Sequence, residues 1–270
     1  MQTMINEALI RKSAPAVFAT APAEHTSASY QFLPTFEVID AFEAQGWTAV
    51  SARQVKARKR SPDAAKHIVS LRHESWGNQA REIGTLLPNL NLVNSHDWSS
   101  RIEIMLGIFR VVCGNGMMVS TGTFGAISVR HDMPIGESIA DLTNRFGTMA
   151  TRMLETSEAW DGIHLSRPRQ IELAQAARNL RFGADSNVDP VALLETRRHD
   201  DEGDSLWRTF NRIQENVTKG GLRFSGMKRR SREIKNISKE VEVNQGLWAF
   251  AEAVAAGAWA RKSTKNREIT

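Results

Sequence analysis

The feature that most constrains this chain is a change of hydrophobic period near residue 133. From Trp47 to Asp132 the apolar residues come in short runs broken by polar or glycine-containing stretches: "WTAVSARQVKAR", "KHIVSLRHE", "NLNLV", "RIEIMLGIFRVVC", "GMMVSTG" and "GAISVRHD". Runs of this length that alternate or are punctuated by turn residues belong to strands. After "MPIGES" the spacing lengthens, and "ESIADLTNRFGTMATRMLETSEAW" places Ile139, Leu142, Phe146, Met149, Met153 and Leu154 on one helical stripe. Further helical stretches follow in "RPRQIELAQAARNLRF", in "DPVALLETRRH" after Asp189, in "DSLWRTFNRIQENVTKGG" and in "VNQGLWAFAEAVAAGAWARK". A chain with this order is α+β, with a β-rich N-terminal half built as a hairpin-containing antiparallel sheet and a helical C-terminal half.

The finer division follows from the same pattern. Residues 1–30 are rich in Ala, Ser, Thr and Pro and are expected to be an extended arm. Residues 31–134 form the β-rich part of the core, opened by a helix in "TFEVIDAFEAQGW" with Thr35 as N-cap and Gly46 as stop. Residues 135–258 form the helical part of the same domain, and 259–270 a basic tail. No run of about 18 apolar residues is present, so no membrane-spanning helix is expected. The N-terminus lacks the ordered regions of a secretory leader, and a single cysteine fits a reducing compartment, so the expected location is cytoplasmic.

The net charge of +5 is unevenly placed. Residues 201–270 carry fourteen Lys/Arg against nine acids, whereas the first two hundred residues are close to neutral. A local knot, "RQVKARKRSPDAAKH", gathers Arg53, Lys56, Arg58, Lys59, Arg60 and Lys66 in the loop of the first expected hairpin, and "LRFSGMKRRSREIKN" gathers Lys228, Arg229, Arg230 and Arg232. Two cationic clusters on a near-neutral body suit a polyanion partner, although solvated surface charge is the commoner use of such residues. Trp47, Trp76 and Trp98 lie near basic or polar turns in the β-rich half, where bases of a single strand would stack on exposed rings; anchoring a small sheet is the equally weighted alternative. Trp207, Phe210, Trp248 and Phe250 recur in amphipathic helices and are assigned to the core.

Catalytic chemistry is less well supported. Cys113 sits in an apolar run and is expected to be buried packing rather than a nucleophile, with Gly114, Asn115 and Gly116 as the turn that follows it. His67, His73, His96, Asp97, His131 and Asp132 are suitable ligand types for a metal-dependent nuclease, but no compact ligand motif joins them. No metal or cofactor is therefore expected, and the enzyme reading is the weaker one.

The segments "YQFLPTFEVIDAFEAQGW", "HIVSLRHE", "NSHDWSSRIEIMLGIFRVVCGNGMMV" with "ISVRH", and "LWRTFNRIQENVTKGG" with "VNQGLWAFAEA" resemble the phage- and plasmid-borne domain of unknown function numbered 932, over about residues 30–256. Signature residues of that family match at Asn94, Ser95, His96, Asp97, Arg110, Cys113, Asn115, Gly116, Asn211, Gln214, Glu215 and Gly221, while Trp98 stands where glycine is usual. The resemblance brings no catalytic activity with it. It implies mobile-element DNA biology, with Asn94, His96, Asp97, Arg110 and Asn115 as candidates for a groove or for backbone capping. The expected function is handling of single-stranded DNA in annealing, recombination or plasmid establishment, and the element order is comparable, as a fold-level analogy only, to single-strand annealing cores. The expected partners are single-stranded DNA, further copies of the chain and a host protein, without a membrane. The alternatives are a protein-binding anti-defence or regulatory factor and the metal-dependent nuclease.

Overall fold

The structure is a computed structural model that describes residues 7–24, 26, 32–56, 61–76, 86–97, 102–110, 116–118 and 135–257. Its internal contacts divide the chain into two compact units, Met1–Thr151 and Arg152–Thr270. The division falls inside one long helix rather than at the change of period.

The first unit is built on a five-stranded antiparallel meander in sequential order: β1 (Trp47–Gln54), β2 (His67–His73), β3 (Leu86–Asn94), β4 (Glu103–Arg110) and the three-residue β5 (Gly116–Met118). The register places Leu71 opposite Leu90, Leu90 opposite Leu106, and Leu92 opposite Ile104. Side chains alternate between faces, so these residues share one apolar face, and all are buried. Burying each such side chain contributes roughly 1.5–3 kcal/mol. Trp47 is fully buried, so it is no stacking platform for a base; it is the sheet anchor of the alternative reading and organises the helices that pack in this unit. Its ring meets Phe42 of α2 (Thr35–Glu43) at 5.7 Å and Phe146 of α3 (Ile135–Asp161) at 4.5 Å, and its indole N–H donates to Thr143 Oγ1 at 2.9 Å.

Three local expectations are corrected here. The N-terminal stretch is not wholly extended: it forms α1 (Glu7–Ser13) and a 3₁₀ turn at Pro15–Phe18, with Ile10, Ala14, Ala16 and Val17 buried. Small apolar side chains and a proline at the start of the turn let this segment lie close against the sheet unit. Thr35 is not the N-cap of α2. Pro34 takes that position without a side-chain bond, and the Thr35 hydroxyl turns inward. Gly46 does close the helix region, at φ 82°. The segment after Asp189 is a 3₁₀ helix (Pro190–Leu194) rather than an α-helix, although Asp189 caps it as expected by accepting from Val191 N at 2.9 Å.

The second unit holds the end of α3 with α4 (Arg167–Phe182), α5 (Leu206–Lys219) and α6 (Ile237–Ala255). Trp160 packs against Trp248 at 4.4 Å and Phe210 at 5.7 Å, while Phe250 is only half-buried. Helix α6 begins six residues earlier than the apolar pattern suggests, because Asn236 caps it by accepting from Lys239 N. Gly246 lets α4 approach closely; a Cβ there would lie 2.6 Å from Leu180 Cδ2. Among the described residues no helix is long and apolar enough to cross a membrane.

Candidate nucleic-acid interface

The Asn-Ser-His-Asp block lies at the end of β3, where the register sets Asn94 opposite His67 at the start of β2. This brings His67 and His96 together, with ring centroids 5.2 Å apart, around the Thr35 hydroxyl. His67 Nδ1 lies 2.9 Å from the Ala65 carbonyl and His96 Nε2 lies 3.1 Å from the Ala16 carbonyl. A carbonyl accepts only, so both of those nitrogens carry hydrogen. In the neutral ring His67 Nε2 is then bare and accepts from Thr35 Oγ1 at 2.8 Å, while Thr35 accepts from Asn94 Nδ2 at 2.9 Å. Burial pushes the His67 pKa down to about 4, against the opposing pull of the Ala65 carbonyl, and burial also lowers that of His96. Both rings are accordingly neutral at pH 7.

This cluster ties segments together. His96 N donates to Ala64 O, Ala23 N donates to His96 O, and Asn94 Nδ2 also reaches Leu33 O. Asn94 and His96 are buried, and Asp97 is half-buried, so the block serves backbone capping and packing as the described residues stand. His73 is elsewhere, bonded to Gln45 O and Ser75 Oγ. Among the described residues no group of three His, Cys, Asp or Glu side chains is placed to hold a metal ion. His131, Asp132, Cys113, Asn115 and the side chain of Arg110 lie outside the described residues.

The basic knot is distributed around the β1–β2 connection. Arg53 is on β1, Lys56 and Lys66 flank the loop, and Arg58, Lys59 and Arg60 lie outside the described residues. Gln54 fastens the loop's base by accepting from Ala16 N and donating to Pro62 O. Beside the loop an open cleft of about 730 Å³ is bordered by Arg11, Phe18, Glu24, Ser61 and Asp63. Its charges are mixed, and Arg11 is already engaged by Glu7 and the Phe18 ring. Trp76 is half-buried and follows the far end of β2, ten residues after Lys66, with the seven-residue strand, roughly 20 Å long, between them. Trp76 is thus at the opposite end of β2 from Lys66. Trp98 lies outside the described residues.

The second basic cluster forms a coherent surface. Gly220 and Gly221, at φ 73° and 88°, end α5, and Gly221 N donates to Ser231 O at 2.9 Å. Ser231 N donates to Leu222 O and Phe224 N to Arg229 O, so residues 221–231 make a two-stranded ribbon. Its tip turns at Gly226, φ 74°, with Met227 N bonded to Phe224 O. Leu222 and Ser231 point inward, whereas Arg223 and Arg230 are exposed and directly opposite each other. From Lys219 to Lys239 there are eight Lys/Arg against one acid, Glu233, which pairs with Lys219. Arg223, Lys228, Arg232 and Lys235 have no acidic partner among the described residues. Like charges facing each other across a ribbon are destabilising by themselves, which suits a surface completed by an anion.

Several residues of this surface escape a reading of the sequence. Phe224 is half-buried, with the Arg229 guanidinium 5.3 Å from its ring centre and Phe182 edge-on at 5.9 Å. Arg181 lies over Phe182 at 5.1 Å and donates to Arg232 O. Asn216, buried on α5, donates to Leu193 O and Glu195 O and accepts from Arg197, whose other arm donates to Gly220 O. Glu215 is held bidentately by Arg198. Lys228, Arg229, Arg230 and Arg232 are thus presented on a ribbon whose root is braced by the Glu-Asn-Val-Thr-Lys-Gly-Gly stretch. The detectable signals were the glycine pair and the single Phe among the arginines.

The matches to known proteins converge. The chain is similar to the UPF0380 protein YafZ of Escherichia coli (strain K12), with 32% identity over 245 residues, or 89% of this chain and 88% of the relative. The UPF0380 protein YfjQ of the same strain is similar with the same identity and coverage. No solved structure matches. The family described as "Domain of unknown function (DUF932)" matches residues 22–248, most of the described fold and all of the ribbon, and the chain belongs to that family.

Proposed function

We propose that this protein binds DNA through phosphate-directed cations and that it handles single strands on a mobile element, as in annealing, recombination or plasmid establishment. The observation that carries the reading is the ribbon at residues 221–231, with Arg223, Lys228 and the nearby Arg232 and Lys235 unneutralised by any described acid. Two facing arginines, Arg223 and Arg230, cost stability in the free protein and gain it against a row of phosphates. Arg53, Lys56 and Lys66 supply a second cationic surface in the other unit. A deoxyribose-phosphate chain needs no catalytic group to be held in this way; it needs spaced donors and displacement of its counterions.

Fluorescence anisotropy on labelled single- and double-stranded oligonucleotides, repeated from low to high salt with and without EDTA, tests the reading. Expected is single-strand binding that is indifferent to EDTA and weakens with a log–log slope of about −0.7 per phosphate contact. Absence of binding at low salt would overturn it.

A further inference from the structure

We infer that the ribbon's tip is a stacking site for an unpaired nucleobase, with Phe224 as the platform; the inference rests on the DNA-binding reading above. Aromatic rings in a packed core are enclosed on both faces. Phe224 is instead half-buried where the ribbon turns at its tip, its backbone bridged to Val188, and the guanidinium of the exposed Arg229 lies over its ring at 5.3 Å. The opposite arrangement holds its plane: Phe182 meets it edge-on at 79°, and Ser225 N is fixed to Asn187 O. The platform is fixed by these contacts, and its cover is an exposed side chain. A flat base has the same requirement as the guanidinium, a π face to lie on, and stacks on phenylalanine with little regard to sequence.

The surrounding charges fit the rest of a nucleotide. A base seated on Phe224 takes the place of Arg229, which is then free to reach the neighbouring phosphate. Arg223 and Arg230 form the adjacent ribbon pair, on the alternate face from Phe224 and Arg229, where they would meet the flanking phosphates of the same strand. A base inside a duplex is already stacked and paired, so the site selects single strands. This also relocates the stacking function: Trp76 lies at the opposite end of β2 from Lys66, whereas Phe224 lies directly under Arg229.

The test compares an oligo-dT strand with an abasic strand of the same length and charge. The full-length protein is expected to prefer oligo-dT by roughly 5- to 150-fold for one stacked base. Phe224→Leu, which keeps apolar bulk, should lose most of that preference while binding the abasic strand unchanged, and Phe224→Trp should retain it. Photocrosslinking of wild-type protein to a 5-iodouracil strand should mark the peptide containing Phe224, a readout that needs no variant. Equal, tight binding of both strands by wild type would overturn the stacking site and leave phosphate binding standing. A full preference in a folded Phe224→Leu, or crosslinks confined to other peptides, would also overturn it. No binding of either strand would instead remove the DNA reading itself.

Discussion

Gly220 and Gly226 offer a controlled pair for the claim that the ribbon's root is a point of forced close approach. Both have positive φ, 73° and 74°, which strains alanine by roughly 1–2 kcal/mol, and the ψ of −152° at Gly220 lies outside the left-handed helical well and adds to the cost there. Their surroundings differ. A Cβ on Gly226 meets nothing within 4 Å, whereas one on Gly220 would lie 2.6 Å from the Arg232 carbonyl carbon and 2.8 Å from Ser231 O. Those are backbone atoms of the returning strand, so relief requires moving the ribbon, an overpacking cost of about 1–3 kcal/mol more. Gly220→Ala should therefore cost about 2–5 kcal/mol and Gly226→Ala about 1–2 kcal/mol. Urea denaturation followed by circular dichroism, compared at unchanged m-value, measures the difference. Costs equal to within about 0.5 kcal/mol would refute the reasoning, because the clash would then have been absorbed freely.

Three further outcomes follow from the same structure. Thr35→Val leaves His67 Nε2 and Asn94 Nδ2 without their buried partner and should cost about 2–4 kcal/mol, whereas Thr35→Ser should cost much less; equal losses would show that the methyl group, not the hydroxyl, matters. The folded His67 pKa of about 4 lies below the unfolded value, so the unfolded chain binds more protons between about pH 6.5 and 4; stability is full above that window and falls as pH drops through it, by on the order of 3 kcal/mol, and His67→Asn should flatten the profile measured by denaturation at stepped pH. Replacing Arg223 and Arg230 together by alanine should leave the fold as stable or slightly more so while reducing the salt slope of single-strand binding by about 1.4, for two lost phosphate contacts. A destabilised fold with an unchanged slope would count against both halves of that expectation.

The α+β order was legible because it depends on period alone: the sheet strands and the helical stripe through Ile139, Leu142 and Phe146 each repeat often enough to exceed local exceptions. Features decided by one tertiary contact were not legible. Thr35 has the side chain and position of an N-cap, and nothing local says that two imidazoles, 32 and 61 residues away, will claim its hydroxyl. Helix α5 misleads in the opposite way. Asn211, Gln214, Glu215 and Asn216 read as a solvated face, yet all are buried, because each meets a partner supplied from elsewhere or from the preceding turn: Asn211 the Trp207 carbonyl, Gln214 the Asn244 amide, Glu215 Arg198, Asn216 Arg197.

The ribbon fell between these cases. Its strands are too short to alternate visibly, and its cations alone do not distinguish a solvated loop from a binding surface. What distinguishes them is cost. A solvated loop can hold eight cations at arm's length, where screening makes their repulsion small. Here Gly220 and Gly221, Arg197 reaching the Gly220 carbonyl, and the Ser231–Leu222 pairing hold Arg223 against Arg230 instead. The backbone pairing sets two arginines opposite each other, with Arg230 also donating to Gly221 O, in a segment where a single glutamate would relieve them. An arrangement that is unfavourable by itself gains stability when a ligand completes it, and the proposed phosphate with its base attached is a ligand that a facing arginine pair and a half-covered aromatic ring would complete.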